Sequence, residues 1–79
     1  MEQHVLELAV LKYIGAGLMA FGMMGAAIGI GLIFSGAASG VARNPAAQDK
    51  IFKTALIGAV FAELMGLFSF VGIFILLFI

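Results

Sequence analysis

The hydrophobic pattern of the chain consists of two long apolar stretches separated by a short polar segment. The first runs from Tyr13 to Ala42 without a charged side chain, and the second runs from Thr54 to Ile79 with only Glu63 interrupting it. A helix that crosses a bilayer needs ~20 apolar residues. Each stretch therefore predicts one membrane-spanning helix.

The polar segment between the stretches predicts a tight turn. Asn44 precedes Pro45, and proline pushes the residue before it out of the helical region, whereas proline itself fits the first turn of a new helix. We predict a first helix over about residues 8–43, a polar loop at about 43–50 and a second helix over about 46–78. The expected fold is an all-α membrane protein, in which residues 1–79 form a single two-helix hairpin domain.

Composition supports a membrane class. The chain is 65% hydrophobic and 10% charged, with a formal net charge of +0 and no cysteine. These values give no indication of nucleic-acid binding and exclude disulfides and thiolate metal sites. The loop side carries Arg43, Lys50 and Lys53 against only Lys12 on the other side, which predicts a loop in the cytoplasm, or in the matrix of a mitochondrion.

The first helix has two opposed faces of small residues. At about 100° per residue, one face carries Gly22, Gly25, Gly29, Gly36 and Gly40. The opposite face carries Ala16, Ala20, Ala27, Gly31, Ala38 and Ala42. Small residues let helices approach closely in a membrane, so two such faces predict close neighbours on both sides and, by repetition, a closed homo-oligomeric ring. The second helix is bulky and apolar on all sides, as an outer, lipid-facing helix would be.

Glu63 is the candidate functional residue. Ten residues separate it from Lys53, a rise of about 15 Å into the membrane. A carboxylate at that depth is costly, and desolvation favours its neutral form, so such residues usually lie on ion pathways. No cationic residue lies at that depth to pair with it, which disfavours a purely structural role. A small oligomeric ion channel with Glu63 along its lumen is an alternative.

At this point the chain resembles the c subunit of F-type ATP synthase, in particular its mitochondrial and alphaproteobacterial branch. The resemblance covers the chain from about Lys12 to Phe78 and is carried by four pieces. They are Lys12-Tyr13-Ile14-Gly15-Ala16-Gly17, Gly25-Ala26-Ala27-Ile28-Gly29-Ile30-Gly31, Arg43-Asn44-Pro45, and Ala62-Glu63-Leu64-Met65-Gly66-Leu67-Phe68.

The resemblance implies a proton-translocating rotor ring with no catalytic residue, metal or cofactor of its own. Glu63 would exchange its proton with the a subunit of the synthase, and Arg43-Asn44-Pro45 would contact the central stalk subunits gamma and epsilon (or delta). The ring would lie in the bacterial plasma membrane, or alternatively in the mitochondrial inner membrane.

Sodium-coupled relatives, the other alternative, add oxygen ligands on the first helix and just after the acid, where this chain has Ile30, Leu64 and Met65. Phe68 stands where some relatives have a tyrosine hydroxyl. The resemblance also implies that the carbonyl of Phe61 accepts the hydrogen bond of the carboxyl proton, with a water molecule as the alternative acceptor. We expect the glycine face of the first helix, at Gly29, to leave room for the side chain. The expected cargo is therefore a proton.

Overall fold

A computed structural model describes all of residues 1–79 as an antiparallel pair of helices. Helix α1 spans Glu2–Arg43, a single 3-10 turn spans Pro45–Ala47, and helix α2 spans Gln48–Phe78. The predicted helical hairpin is confirmed. Helix α1 begins at Glu2, well before the predicted start near residue 8. The expected loop at about 43–50 is almost entirely helical, since only Asn44 lies between the elements.

Asn44 and Pro45 make the reversal of the chain. Asn44 has φ −143° and ψ 80°, an extended conformation of the kind that the following proline favours. Its N–H still donates to the carbonyl of Gly40 at 2.9 Å and so closes the last turn of α1. Pro45 then occupies the first position of the 3-10 turn, where its missing N–H breaks no hydrogen bond. The turn leads directly into α2.

The seam between the helices is built from glycines that receive side chains of the opposite helix. A Cβ placed on Gly15 would lie 2.9 Å from Leu76, and one on Gly40 would lie 3.3 Å from Ile51. The relation is reversed at other levels, where Gly58 faces Ile33 and Gly72 faces Met19. On α1 these contacts repeat mostly every three, four or seven residues, which is the spacing of antiparallel coiled-coil packing. The register places Glu63 level with Ile28.

The seam corrects the assignment of two glycines. Gly22 packs against Ser69 and Gly40 against Ile51, both within one hairpin, so these two serve the hairpin rather than a neighbouring copy. A methyl group placed on Gly25, Gly29 or Gly36, from the same face, would have nothing within 4 Å, and the same holds for Gly31 on the opposite face. These four glycines are therefore open to a neighbouring copy, whereas Ala16 of the second face is buried within the hairpin.

Little of the apolar surface of the two helices is buried within the hairpin. Only Ala16 and Ala55 are buried, at 9% and 6% exposure, while large apolar side chains are exposed along both helices. Both helices are long and apolar enough to cross a membrane. An apolar surface of this extent needs lipid or further protein around it.

Candidate functional site

Glu63 lies in an open groove between the two helices. The groove has a volume of about 520 Å³, and Glu63 is its one ionisable residue. The other lining residues are Met23, Ala26, Ala27, Ile30, Gly66, Leu67 and Phe70. The carboxyl is therefore held at an otherwise apolar surface of the hairpin, on the side that carries Ala27 of the second small-residue face.

Helical geometry determines which residues of α2 share this groove. Gly66, Leu67 and Phe70 follow Glu63 by three, four and seven residues, so they lie on the same stripe of the helix as the carboxyl. Glu63 stands at the loop end of this stripe. The groove consequently extends from the carboxyl toward the membrane face opposite the loop.

Several residues that the sequence placed around the carboxyl lie elsewhere. Met65 and Phe68 are 63% and 67% exposed, and neither they nor Leu64 lines the groove. The role predicted for Phe61 belongs to its carbonyl and stays a prediction. A residue that lies one, two or five positions along a helix from Glu63 points in a different direction from it. This is the physical reason why these side chains do not line the groove. They belong to the outer surface of α2.

The first helix supplies the other wall of the groove. Ile30 lines it, as the sequence predicted, whereas Gly29 faces away toward open space. Ala26 and Ala27 also line the wall and were not predicted. Ala26 packs closely against α2 here, because its Cβ lies 3.1 Å from the position that a Cβ on Gly66 would take. Gly66 could have been predicted from the sequence, because it lies three residues after Glu63 on the same helix. Ala26 could not, because its position beside the groove depends on the register of α1 against α2.

The groove offers one acidic side chain and no further side-chain oxygen. Ser69 is turned toward Gly22 in the seam, and Thr54 donates its hydroxyl hydrogen to the carbonyl of Lys50 at 2.9 Å, far from the groove. Such a site can bind or release a proton at the carboxyl. A metal cation would require several oxygen ligands, and the groove side chains supply only those of Glu63.

The predicted loop residues lie at one end of the hairpin. Arg43, Asn44 and Pro45 are all exposed, and Arg43 is the last residue of α1. Arg43 therefore lies at the end of the hairpin, beyond the first apolar stretch. Nothing in the hairpin covers it.

Comparison with known proteins identifies the family. A family model for the C subunit of ATP synthase matches residues 14–76, which include both small-residue faces, the turn and Glu63. This chain belongs to the ATP synthase c-subunit family. The function expected from the sequence, that of a non-catalytic rotor-ring subunit of F-type ATP synthase, is confirmed by this membership.

Individual members are similar over nearly their whole length. The ATP synthase c subunits of Rickettsia peacockii (strain Rustic) and Rickettsia conorii (strain ATCC VR-613 / Malish 7) are each 53% identical over 73 residues, which cover 92% of this chain and 99% of theirs. That of Rickettsia prowazekii (strain Madrid E) is 52% identical over the same length. These bacterial relatives agree with the predicted alphaproteobacterial branch.

Proposed function

We propose that Glu63 is the proton carrier of this rotor-ring subunit. The observation that supports the proposal is a single carboxyl in an apolar groove, at a level where both helices are apolar. In its neutral form the carboxyl can pass through lipid, and in a polar contact it can release its proton. Each proton moved through 100 mV yields ~2.3 kcal/mol, so a ring of many copies is needed to sum enough free energy for ATP synthesis.

The cargo we propose is a proton rather than a sodium ion, and we propose no resident cofactor. A sodium ion would need several oxygen ligands, whereas Ile30 stands on the facing wall and the other lining residues carry no side-chain oxygen. The carbonyl of Phe61 stays the predicted hydrogen-bond acceptor for the protonated carboxyl. A helical carbonyl retains a second lone pair for this purpose.

We propose that the hairpin is the repeating unit of a closed ring. A Cβ on Gly25, Gly29 or Gly36, or on Gly31 of the opposite face, would meet nothing within 4 Å in the hairpin, and Ala27 is exposed. Head-to-tail packing would bring the glycine face of one copy against the opposite face of the next. Helix α1 would form the inner layer and the bulkier α2 the outer layer.

The partners we propose are identical subunits, the a subunit of the synthase, the central stalk subunits gamma and epsilon (or delta), and membrane lipid. An arginine of the a subunit would stabilise the ionised carboxylate of Glu63, and the exposed Arg43-Asn44-Pro45 turn would contact the stalk. We place the ring in the bacterial plasma membrane with the turn in the cytoplasm, because Arg43, Lys50 and Lys53 lie at that end.

The test of this function is ATP-driven proton pumping by the assembled complex with Glu63→Gln. The amide has nearly the shape of the acid but cannot exchange a proton, so pumping should be lost while the ring still assembles. Glu7→Gln is the matched control, since Glu7 is an exposed acid outside the first apolar stretch, and it should pump normally. Pumping that survives Glu63→Gln would show that another group carries the proton.

A further inference from the structure

We propose that the N-terminal segment Glu2–Lys12 is a second contact surface between copies, at which neighbouring α1 helices form a collar of the ring outside the membrane. The partner that this surface fits is the same segment of the next copy. The proposal rests on the ring described above and adds an interface beyond the lipid. The segment precedes residue 14, at which the match to the family begins.

Helix α1 is longer than a bilayer is thick. The uncharged stretch Tyr13–Ala42 rises about 45 Å at 1.5 Å per residue. A bilayer with its headgroups is ~40–45 Å thick, so this stretch alone crosses it. The segment Glu2–Lys12 continues the same helix by roughly 15 Å. It therefore lies in water, on the side opposite the turn.

The segment is apolar and uncovered within one hairpin. Leu76, near the end of α2, lies against Gly15, so α2 packs beside α1 only from about Lys12 onward. The large apolar residues before that level are all exposed, and they are Val5, Leu6, Leu8, Val10 and Leu11. An exposed apolar surface of this kind is typical of a contact site, and the membrane does not reach it.

The faces of α1 that are open to a neighbouring copy continue into this segment. Eighteen residues make five turns at 3.6 residues per turn, so residues eighteen apart point in the same direction on a straight helix. Leu11 thus lies in line with Gly29, and Ala9 lies in line with Ala27 on the opposite face. No proline interrupts the helix between them, and Glu2–Arg43 is one continuous element.

Continuity of the helix makes the collar a consequence of the ring. Where Gly29 of one copy approaches Ala27 of the next, Leu11 of the first copy approaches Ala9 of the second. A large apolar side chain then meets a small one, which is a favourable way to fill a contact between helices. The contact removes Leu11 from water, which neither α2 nor lipid does.

The polar residues of the segment are compatible with this contact. Glu2 is in line with Ala20 on the second face, and His4 lies one turn before Glu7 and Leu11 on the side of the first face. His4 of one copy can therefore donate a hydrogen bond to the carboxylate of Glu2 in the next. Glu7 repeats one carboxylate per copy, but charges about 10 Å apart in water interact weakly.

The experiment uses paired cysteines, because the chain has no cysteine of its own. In the assembled complex, Leu11→Cys/Ala9→Cys treated with a short bismaleimide should give a ladder of covalent oligomers on a denaturing gel. The thiols of adjacent copies face each other in the collar, so each copy can be linked to the next. A native gel of the untreated complex verifies that the ring has formed.

The matched control is Leu8→Cys/Val10→Cys. These positions are also two residues apart and are 48% and 56% exposed in the hairpin, against 62% for Leu11. Leu8 is in line with Ala26, which faces α2, and Val10 points to the opposite side of α1. Neither side faces a neighbouring α1 helix, so this pair should stay monomeric on the denaturing gel.

A third pair, Gly29→Cys/Ala27→Cys, reports the ring within the membrane at the same helical spacing. A ladder from this pair without one from Leu11→Cys/Ala9→Cys would overturn the collar and leave the ring intact. Equal ladders from the collar pair and its control would also overturn it, since they would indicate random collisions of free segments.

The remaining outcomes also decide the proposal. If the collar pair prevents assembly while its control assembles, the two positions lie at a contact between copies, which supports the collar. Absence of a ladder from every pair would remove the ring packing on which the collar rests. Pumping by Glu63→Gln tests the carrier function separately, because it concerns the carboxyl and not the segment.

Discussion

Replacing Gly29 by leucine should block closure of the ring while leaving the hairpin folded. Within the hairpin, a Cβ at Gly29 would meet nothing within 4 Å, so the side chain starts in open space and α1 and α2 can pack as before. Leucine also has a helix propensity better than that of glycine by up to about 1 kcal/mol, so α1 is not weakened. The perturbation therefore acts only where a second copy approaches.

The expected magnitude follows from overpacking a close helix contact. Extra side-chain atoms in a well-packed contact cost about 1–3 kcal/mol, which weakens each junction between copies roughly 5- to 150-fold. Every junction of a closed ring carries the same penalty. The penalties accumulate, and the ring should not form.

The assay is the size of the detergent-extracted oligomer on a native gel, with circular dichroism to verify that the hairpin is helical. Gly17→Leu is the matched control: Gly17 is equally free of contacts but lies outside both small-residue faces, so its rings should have the normal size. Rings of normal size from Gly29→Leu would refute the assignment of this face to contacts between copies.

The other predictions concern the cargo, the seam and the orientation. Sodium should not protect Glu63 from carbodiimide labelling at any pH, because the groove supplies no further side-chain oxygen; strong protection would contradict a proton cargo. Gly22→Leu should destabilise the hairpin itself, since Ser69 already occupies the space beside Gly22, and a hairpin of unchanged thermal stability would contradict this packing. Gln48→Cys should react with a membrane-impermeant thiol reagent from the cytoplasmic side only; reaction from the opposite side alone would reverse the proposed orientation.

The acid of the site could be predicted from the sequence because Glu63 is the one ionisable residue in the two apolar stretches. One carboxyl in an apolar helix is visible without coordinates, and so is the turn at Asn44 and Pro45. Its neighbours were harder to predict. Leu64 and Met65 are adjacent to Glu63 in sequence but point elsewhere, whereas Gly66 and Phe70 share its stripe at helical spacing.

The sequence by itself determined the two helices, the reversal between them and the position of the acid, because hydrophobic length and proline geometry act locally along the chain. Only the tertiary structure decided which glycines serve the hairpin and which stay free for a neighbour. Gly22 and Gly25 belong to one face by helical spacing, yet Gly22 meets Ser69 and Gly25 meets nothing. The physical reason is the register of α2 against α1, which depends on how side chains fill the glycine positions along the whole seam.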